Sequence, residues 1–175
     1  MHGDDPGSPG GARSRGSPST LRSAVSIFLR LALGAAFLSA VADRFGLWGP
    51  PGAGGVAWGH FSAFLDYTAT LNPWAPRALI LWIGWAATVA EVALGLALLV
   101  GLFTRPAALA AGVLLILFGL GMMVGTGVKS ALDASVFSAA AAALALAILG
   151  PGPLSLDRAR RQTADSRIPP EGGPP

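Results

Sequence analysis

The stretch ALILWIGWAATVAEVALGLALLVG, residues 78–101, decides the fold. As a helix its 24 residues would extend about 36 Å at 1.5 Å per residue, more than the ~30 Å of a bilayer's hydrocarbon core. Its single charge, Glu91, sits near the middle. Three further apolar stretches flank it, at about 22–42, 106–125 and 131–149. The first is interrupted by Arg30, the second has no charge, and the third carries Asp133 in its first turn. Backbone polar groups in lipid must be satisfied within the chain, so these stretches read as helices, and strands would need an alternation that is absent.

Composition supports the same reading. The chain has 175 residues, of which 53% are apolar and 12% charged, against ~25% charged in an average globular protein. Five charges fall in residues 1–22 and seven in 151–175, leaving nine for the 128 residues between. A soluble domain of that size could not cover its surface with so few charges. The expected partner is a lipid bilayer, and nucleic acid is excluded as a partner because the basic residues flank the apolar spans.

The expected fold is an all-α membrane protein, a four-transmembrane-helix antiparallel bundle. Residues 1–20 and 151–175, rich in Gly, Pro and charge, read as disordered cytoplasmic tails around a single domain at 21–150. Short links at 102–105 and 126–130 make neighbouring helices antiparallel, and only the link at 43–77 is long. Eight Lys and Arg residues fall on the side of the termini (Arg13, Arg15, Arg22, Arg105, Arg158, Arg160, Arg161, Arg167) and three on the other (Arg44, Arg77, Lys129). This bias predicts a multi-pass protein of the cell (inner) membrane with both termini cytoplasmic. All five tryptophans lie in or near the long loop, as expected at the outer interface. Leu38–Ala42 resembles a signal-peptidase site, but Arg30 within the apolar run and the long segment before it favour an uncleaved helix.

Within the long loop, Trp58, Phe61, Phe64, Leu65 and Leu71 recur at helical spacing, with Ser62, Asp66, Tyr67 and Thr70 opposite them. The pattern predicts an amphipathic helix lying in the membrane interface and stopped by Asn72-Pro73. A second reading makes it a lid over a site between the helices, faced by His60, Asp66 or Tyr67.

Charges within the spans are the candidate site. An intramembrane charge costs ~2.5–3.5 kcal/mol on insertion scales and calls for a partner. Counting rise along the helices places Arg30 and Glu91 at similar depth, which predicts an Arg30–Glu91 ion pair. These two are the candidate catalytic residues, lining a polar pocket in which Glu91 carries a proton. Asp43, Arg44 and Asp133 form a second expected cluster at the outer mouth and, with His60 and Tyr67, are the candidate substrate-binding residues. The competing reading is a buried pair that only fixes helix register. No cysteine is present, and His60 alone makes no metal site, so no metal and no covalently bound cofactor are expected. Gly121-Met122-Met123-Val124-Gly125, Gly95, Gly112 and the run Ala139–Ala143 read as small residues for close helix packing.

The chain resembles the DoxX family of small four-helix membrane proteins over about residues 22–158. The residues that carry the likeness are Leu29-Arg30-Leu31, the basic residue ending the first helix, and Ala90-Glu91-Val92 with Gly95. Gly101-Leu102-Phe103-Thr104-Arg105-Pro106 and Gly150-Pro151-Gly152-Pro153-Leu154-Ser155-Leu156-Asp157-Arg158 complete it. Where members commonly carry Gly-x-x-Lys, this chain has Val41-Ala42-Asp43-Arg44. The resemblance implies a subunit or membrane anchor of a redox complex, in thiosulfate and thiol oxidation or oxidative stress, using quinone and a redox partner protein. The alternative is a non-catalytic membrane scaffold or assembly factor, of which an inert homo-oligomer would be the sign.

Overall fold

A computed structural model describes residues 18–165, and the terminal residues 1–17 and 166–175, expected to be tails, lie outside the described residues. The described chain is entirely helical: α1 (Pro18–Arg44), α2 (Phe61–Leu71), α3 (Arg77–Val100), α4 (Thr104–Gly125), α5 (Val128–Asp133), α6 (Val136–Leu149) and α7 (Leu156–Asp165). Three of these, α1, α3 and α4, are long and apolar enough to cross a bilayer. Large side chains such as Phe28, Val89, Leu117 and Ile148 point outward. In water such a surface would be a liability, and in lipid it is the expected exterior.

The fourth expected span is divided. Ser135 adopts a left-handed conformation (φ 54°), which ends α5 and starts α6 at Val136. The 14 residues of α6 rise about 21 Å, less than a full hydrocarbon core. Asp133, expected in the first turn of a long span, instead closes the short helix α5 and faces outward.

Side-chain contacts fix the topology. Arg30 reaches Leu98 and Leu99 while Arg44 reaches Thr88 and Glu91, so α1 and α3 run antiparallel. Gly112 faces Leu144 while Gly119 faces Phe137, so α4 and α6 do the same. Helices in lipid gain little from burying apolar surface against one another, and close approach of small residues takes its place. A Cβ on Gly34 would lie 2.9 Å from the carbonyl oxygen of Gly95, and one on Gly95 3.0 Å from Leu38. Gly112 and Gly119 are filled in the same way by Leu144 and Phe137. The bundle is thus two tight pairs, α1/α3 and α4/α6, set side by side around Leu33, Phe37, Leu98, Ala108, Ala111, Ala143 and Leu146.

The helix in the long loop exists, over Phe61–Leu71, but it packs on the bundle. Leu65 fills the notch at Gly84 of α3, and Thr70 and Leu71 sit against Gly125 of α4, with Leu71 also reaching Gly121. The Gly121–Gly125 spacing therefore receives the end of α2. At the opposite end of the bundle, part of the segment expected to be disordered from 151 onward is folded. The Asp157 carboxylate accepts from the Phe103 and Thr104 amides (2.8 and 2.7 Å) and caps the start of α4.

Candidate functional site

Two arginines are buried in this bundle, and neither environment is the one that depth counting predicts. The expected Arg30–Glu91 ion pair does not form. Arg30 donates from Nε to Leu98 O (2.9 Å), from Nη2 to Leu99 O (3.0 Å) and from Nη1 to Leu154 O (2.7 Å). It thereby adds donors to carbonyls of the last turn of α3, where the ladder of the helix runs out, and ties them to the segment before α7. Gly101 is required here twice over. Its φ of 68° suits glycine, and a Cβ would collide with the Arg30 guanidinium and with Ser155.

Glu91 pairs instead with Arg44. Both carboxylate oxygens accept from Arg44 Nη2, at 2.6 and 2.7 Å. The side chains are only 3% and 1% exposed. Side chains on a helix lean toward that helix's own N-terminus. On antiparallel α1 and α3, Arg30 and Glu91 therefore lean apart, whereas Arg44 leans down toward Glu91 leaning up.

The pair is held on every side that the contacts describe. Arg44 Nη1 donates to Thr88 Oγ1 (2.9 Å), whose hydroxyl donates in turn to Gly84 O (2.8 Å). Above it, the guanidinium carbon lies 3.8 Å from the Phe64 ring centroid and 5.5 Å from that of Trp58. Cation–π contacts of this kind contribute ~2 kcal/mol or more where water is excluded. Asp43 sets that roof in place, because its Oδ2 accepts from the Ala57 and Trp58 amides (3.1 and 3.0 Å). Trp58 then packs edge-on against Phe64, and Phe61, Phe45 and Trp85 extend the aromatic group.

Below the roof lies a cavity of about 190 Å³. Leu33, Phe37 and Ala40 of α1, Leu115 and Phe118 of α4, and Ala139 of α6 make its walls apolar. Arg44 and Glu91 supply its charged lining, with Trp58 beside them. Among the described residues, three buried polar atoms lack a hydrogen-bond partner: Arg44 Nε, Asp43 Oδ1 and Thr104 Oγ1. Two of the three belong to this site.

The remaining expected site residues separate from it. Asp133 pairs with Lys129 one turn earlier on α5, both well exposed, so the expected Asp43–Arg44–Asp133 cluster is not formed. A carboxylate and an ammonium at the end of a short surface helix stay hydrated, which costs less than burial. His60 is the N-cap of α2, its Nδ1 accepting from the Ala63 amide at 3.1 Å. Tyr67 leans on Trp58 with ring centroids 6.2 Å apart. Phe64 and Trp58, rather than His60, Asp66 or Tyr67, face the pair. Thr88 was not among the sequence candidates. Its place one helical turn before Glu91 on the same face was the available signal. Among the described residues no group of three or more His, Asp or Glu is placed to hold a metal ion.

Comparison with protein-family models, characterised proteins and solved structures found no match. The site has to be read from its own chemistry. It is a fixed, buried cation with a spare donor, set at the edge of an apolar hollow.

Proposed function

We propose that this chain is a DoxX-like integral membrane subunit or anchor of a quinone-linked redox complex. One observation carries the reading: the Arg44–Glu91 pair, nearly sealed from solvent, borders an otherwise apolar cavity, and Arg44 Nε–H has no partner among the described residues. A quinone would fit such a place, since it offers a flat apolar ring and carbonyl oxygens that accept hydrogen bonds. When bound it supplies two-electron, two-proton redox chemistry.

The residues of the chain divide the work of holding it. Arg44 is the charged cavity-lining group that would touch the ligand. Glu91 and Thr88 are positioning residues. With both its oxygens engaged by Arg44 Nη2, Glu91 is better suited to orienting the guanidinium than to carrying a proton. Phe64 and Trp58 keep water off the pair. The chain has no cysteine, so electrons would come from a redox partner protein.

The charge bias supports a topology as well. Arg22, Arg105, Arg158 and Arg160 gather at the end holding the start of α1 and α7, while the aromatic roof and α2 sit at the other. We place the first end in the cytoplasm and the roof at the outer face of the inner membrane, with α2 at that interface. Because the chain has no native cysteine, single cysteines at Trp74 and Leu154 give a clean check. An impermeant maleimide added to intact cells should label the first and spare the second.

The function is tested with the full chain in lipid nanodiscs, titrated with decylubiquinone. Binding to the wild type and at least tenfold weaker binding to Arg44→Lys, which loses the guanidinium fork, are expected. No binding, together with an inert homo-oligomer in mild detergent, would support the scaffold reading, in which the pair only fixes register.

A further inference from the structure

We propose that the cavity takes its ligand sideways from the lipid phase, through a window between α1 and α6 framed by Ala36, Ala40 and Ala139. This deepens the quinone reading and rests on it. It narrows the ligand class to lipid-dissolved molecules with one hydrogen-bond-accepting end, as opposed to solutes arriving from water.

The packing of three seams carries the inference. The α1/α3 seam is closed by Gly34 against Gly95 and by Leu38 lying in the Gly95 notch. The α4/α6 seam is closed by Leu144 at Gly112 and by Phe137 and Val136 at Gly119. The α1/α6 seam is different. It is tied at its inner end, where Ser26 Oγ donates to Gly150 O (2.6 Å) and Ile27 meets Gly152. Higher up, three alanines of the two helices line the cavity: Ala36, which is exposed, and Ala40 and Ala139, which are half-buried. Ala36 is the one lining residue in full exposure, while Trp58, Leu115 and Phe118 are half-buried like Ala40 and Ala139, and so Ala36 marks the opening.

The two sides of this opening agree in height. Ala36 follows Ser26 by ten residues and Ala139 precedes Gly150 by eleven, so both lie above the inner tie, by about 15 and 16.5 Å along their helices. Ala36 lies well inside the candidate span Ser19–Arg44, which is longer than a ~30 Å hydrocarbon core requires, so the window faces acyl chains. Entry from the outer aqueous side is covered. Phe64 and Trp58 lie over Arg44, and Leu65, Thr70 and Leu71 pin α2 to α3 and α4.

The absence of native cysteine provides a specific test. Ala36→Cys and, as a control, Val89→Cys on the exposed face of α3 are each prepared in the full chain in nanodiscs. Each is labelled with a bulky, membrane-permeable maleimide, and decylubiquinone binding is measured by equilibrium dialysis before and after. Labelling Ala36→Cys should weaken binding at least tenfold, with the unlabelled variant and labelled Val89→Cys within twofold of wild type. Thermal unfolding of the labelled proteins reports whether the fold survives, and Ala139→Leu, a smaller plug on the other side of the window, should weaken binding in the same direction. If labelled, folded Ala36→Cys binds as wild type while Arg44→Lys does not, the window is wrong and the site stands. If the wild type itself does not bind, both fall together.

Discussion

Arg30 and Arg44 stand on the same helix and are almost equally buried, at 3% and 2% exposure, yet the molecule uses them in opposite ways. Arg30 spends its hydrogen bonds on main-chain carbonyls, two at the end of α3 and one before α7. It does not line the cavity, and its work is to join three segments at one end of the bundle. Arg44 is bonded only to side chains, Glu91 and Thr88, roofed by aromatic rings, and left with a spare donor beside a hollow. A cation bound to carbonyls is a fastener, because helix ends must be satisfied wherever they are buried. On the proposed reading, a cation bound to one carboxylate at a cavity wall is a recognition element. Burial alone does not separate the two roles, but the identity of the partners does.

The largest effect should therefore come from the fastener. Arg30→Leu removes three charge-assisted bonds, each worth ~1.5–3 kcal/mol and not fully additive, and takes the side-chain donor from Leu98 O, Leu99 O and Leu154 O. A loss of about 5 kcal/mol in detergent unfolding is expected, with any fall in quinone binding following the folded fraction. A loss smaller than that of the next variant would reverse the ranking of the two arginines.

Next comes the pair itself. Glu91→Leu leaves Arg44 buried without its counter-charge, at a cost of about 3–5 kcal/mol. Adding Arg44→Met should recover stability to within about 1 kcal/mol of wild type, since well-packed apolar residues can replace a buried pair. Decylubiquinone binding should stay lost. Recovery of both stability and binding in the double variant would reduce Arg44–Glu91 to a register device.

The sequence exposes most of the scaffold and less of the site, and the reason is the same for both. Length and hydropathy set the three long helices, because a bilayer imposes one thickness on every span. Gly95 and Gly112 are readable as contact points because small residues are what lets helices approach in lipid. Arg30, Glu91 and Arg44 stand out as charges where charge is costly. Which arginine meets Glu91 does not follow from rise per residue. It depends on the lean of each side chain and on antiparallel placement, and applying that rule to Arg44 as well as to Arg30 would have indicated the observed partner. The break at Ser135 and the folding of residues 156–165 are less legible. The first rests on one left-handed residue without glycine's freedom. The second depends on the Asp157 carboxylate meeting amides more than 50 residues away.

Smaller effects should mark the seams and ends. Gly34→Ala places a methyl against Leu99 and the Gly95 carbonyl, and overpacking of this kind costs ~1–3 kcal/mol. If the seam tolerates it without loss, α1/α3 is no tighter than α1/α6, and the contrast on which the lateral window rests disappears. Asp157→Ala removes the cap on α4, for about 1 kcal/mol. It should leave ligand binding unchanged in folded protein, because the cap lies at the fastener's end.

The smallest effect is expected where a charge pair looks strong by proximity alone. Lys129 and Asp133 form a close ion pair, one helical turn apart on α5, with side chains 87% and 64% exposed. Water already solvates both groups, and the attraction between them is offset by the entropy of holding two flexible side chains together. Lys129→Ala should change stability by about 0.5 kcal/mol or less, within the range of exposed pairs one turn apart, and ligand binding not at all. A loss comparable to that of Glu91→Leu would mean that Asp133 turns inward once its partner is gone, and the outer cluster of Asp43, Arg44 and Asp133 would have to be reconsidered. With the small effect expected, three charged contacts of similar length are graded by what surrounds them: carbonyls for Arg30, an apolar cavity wall for Arg44, and water for Lys129.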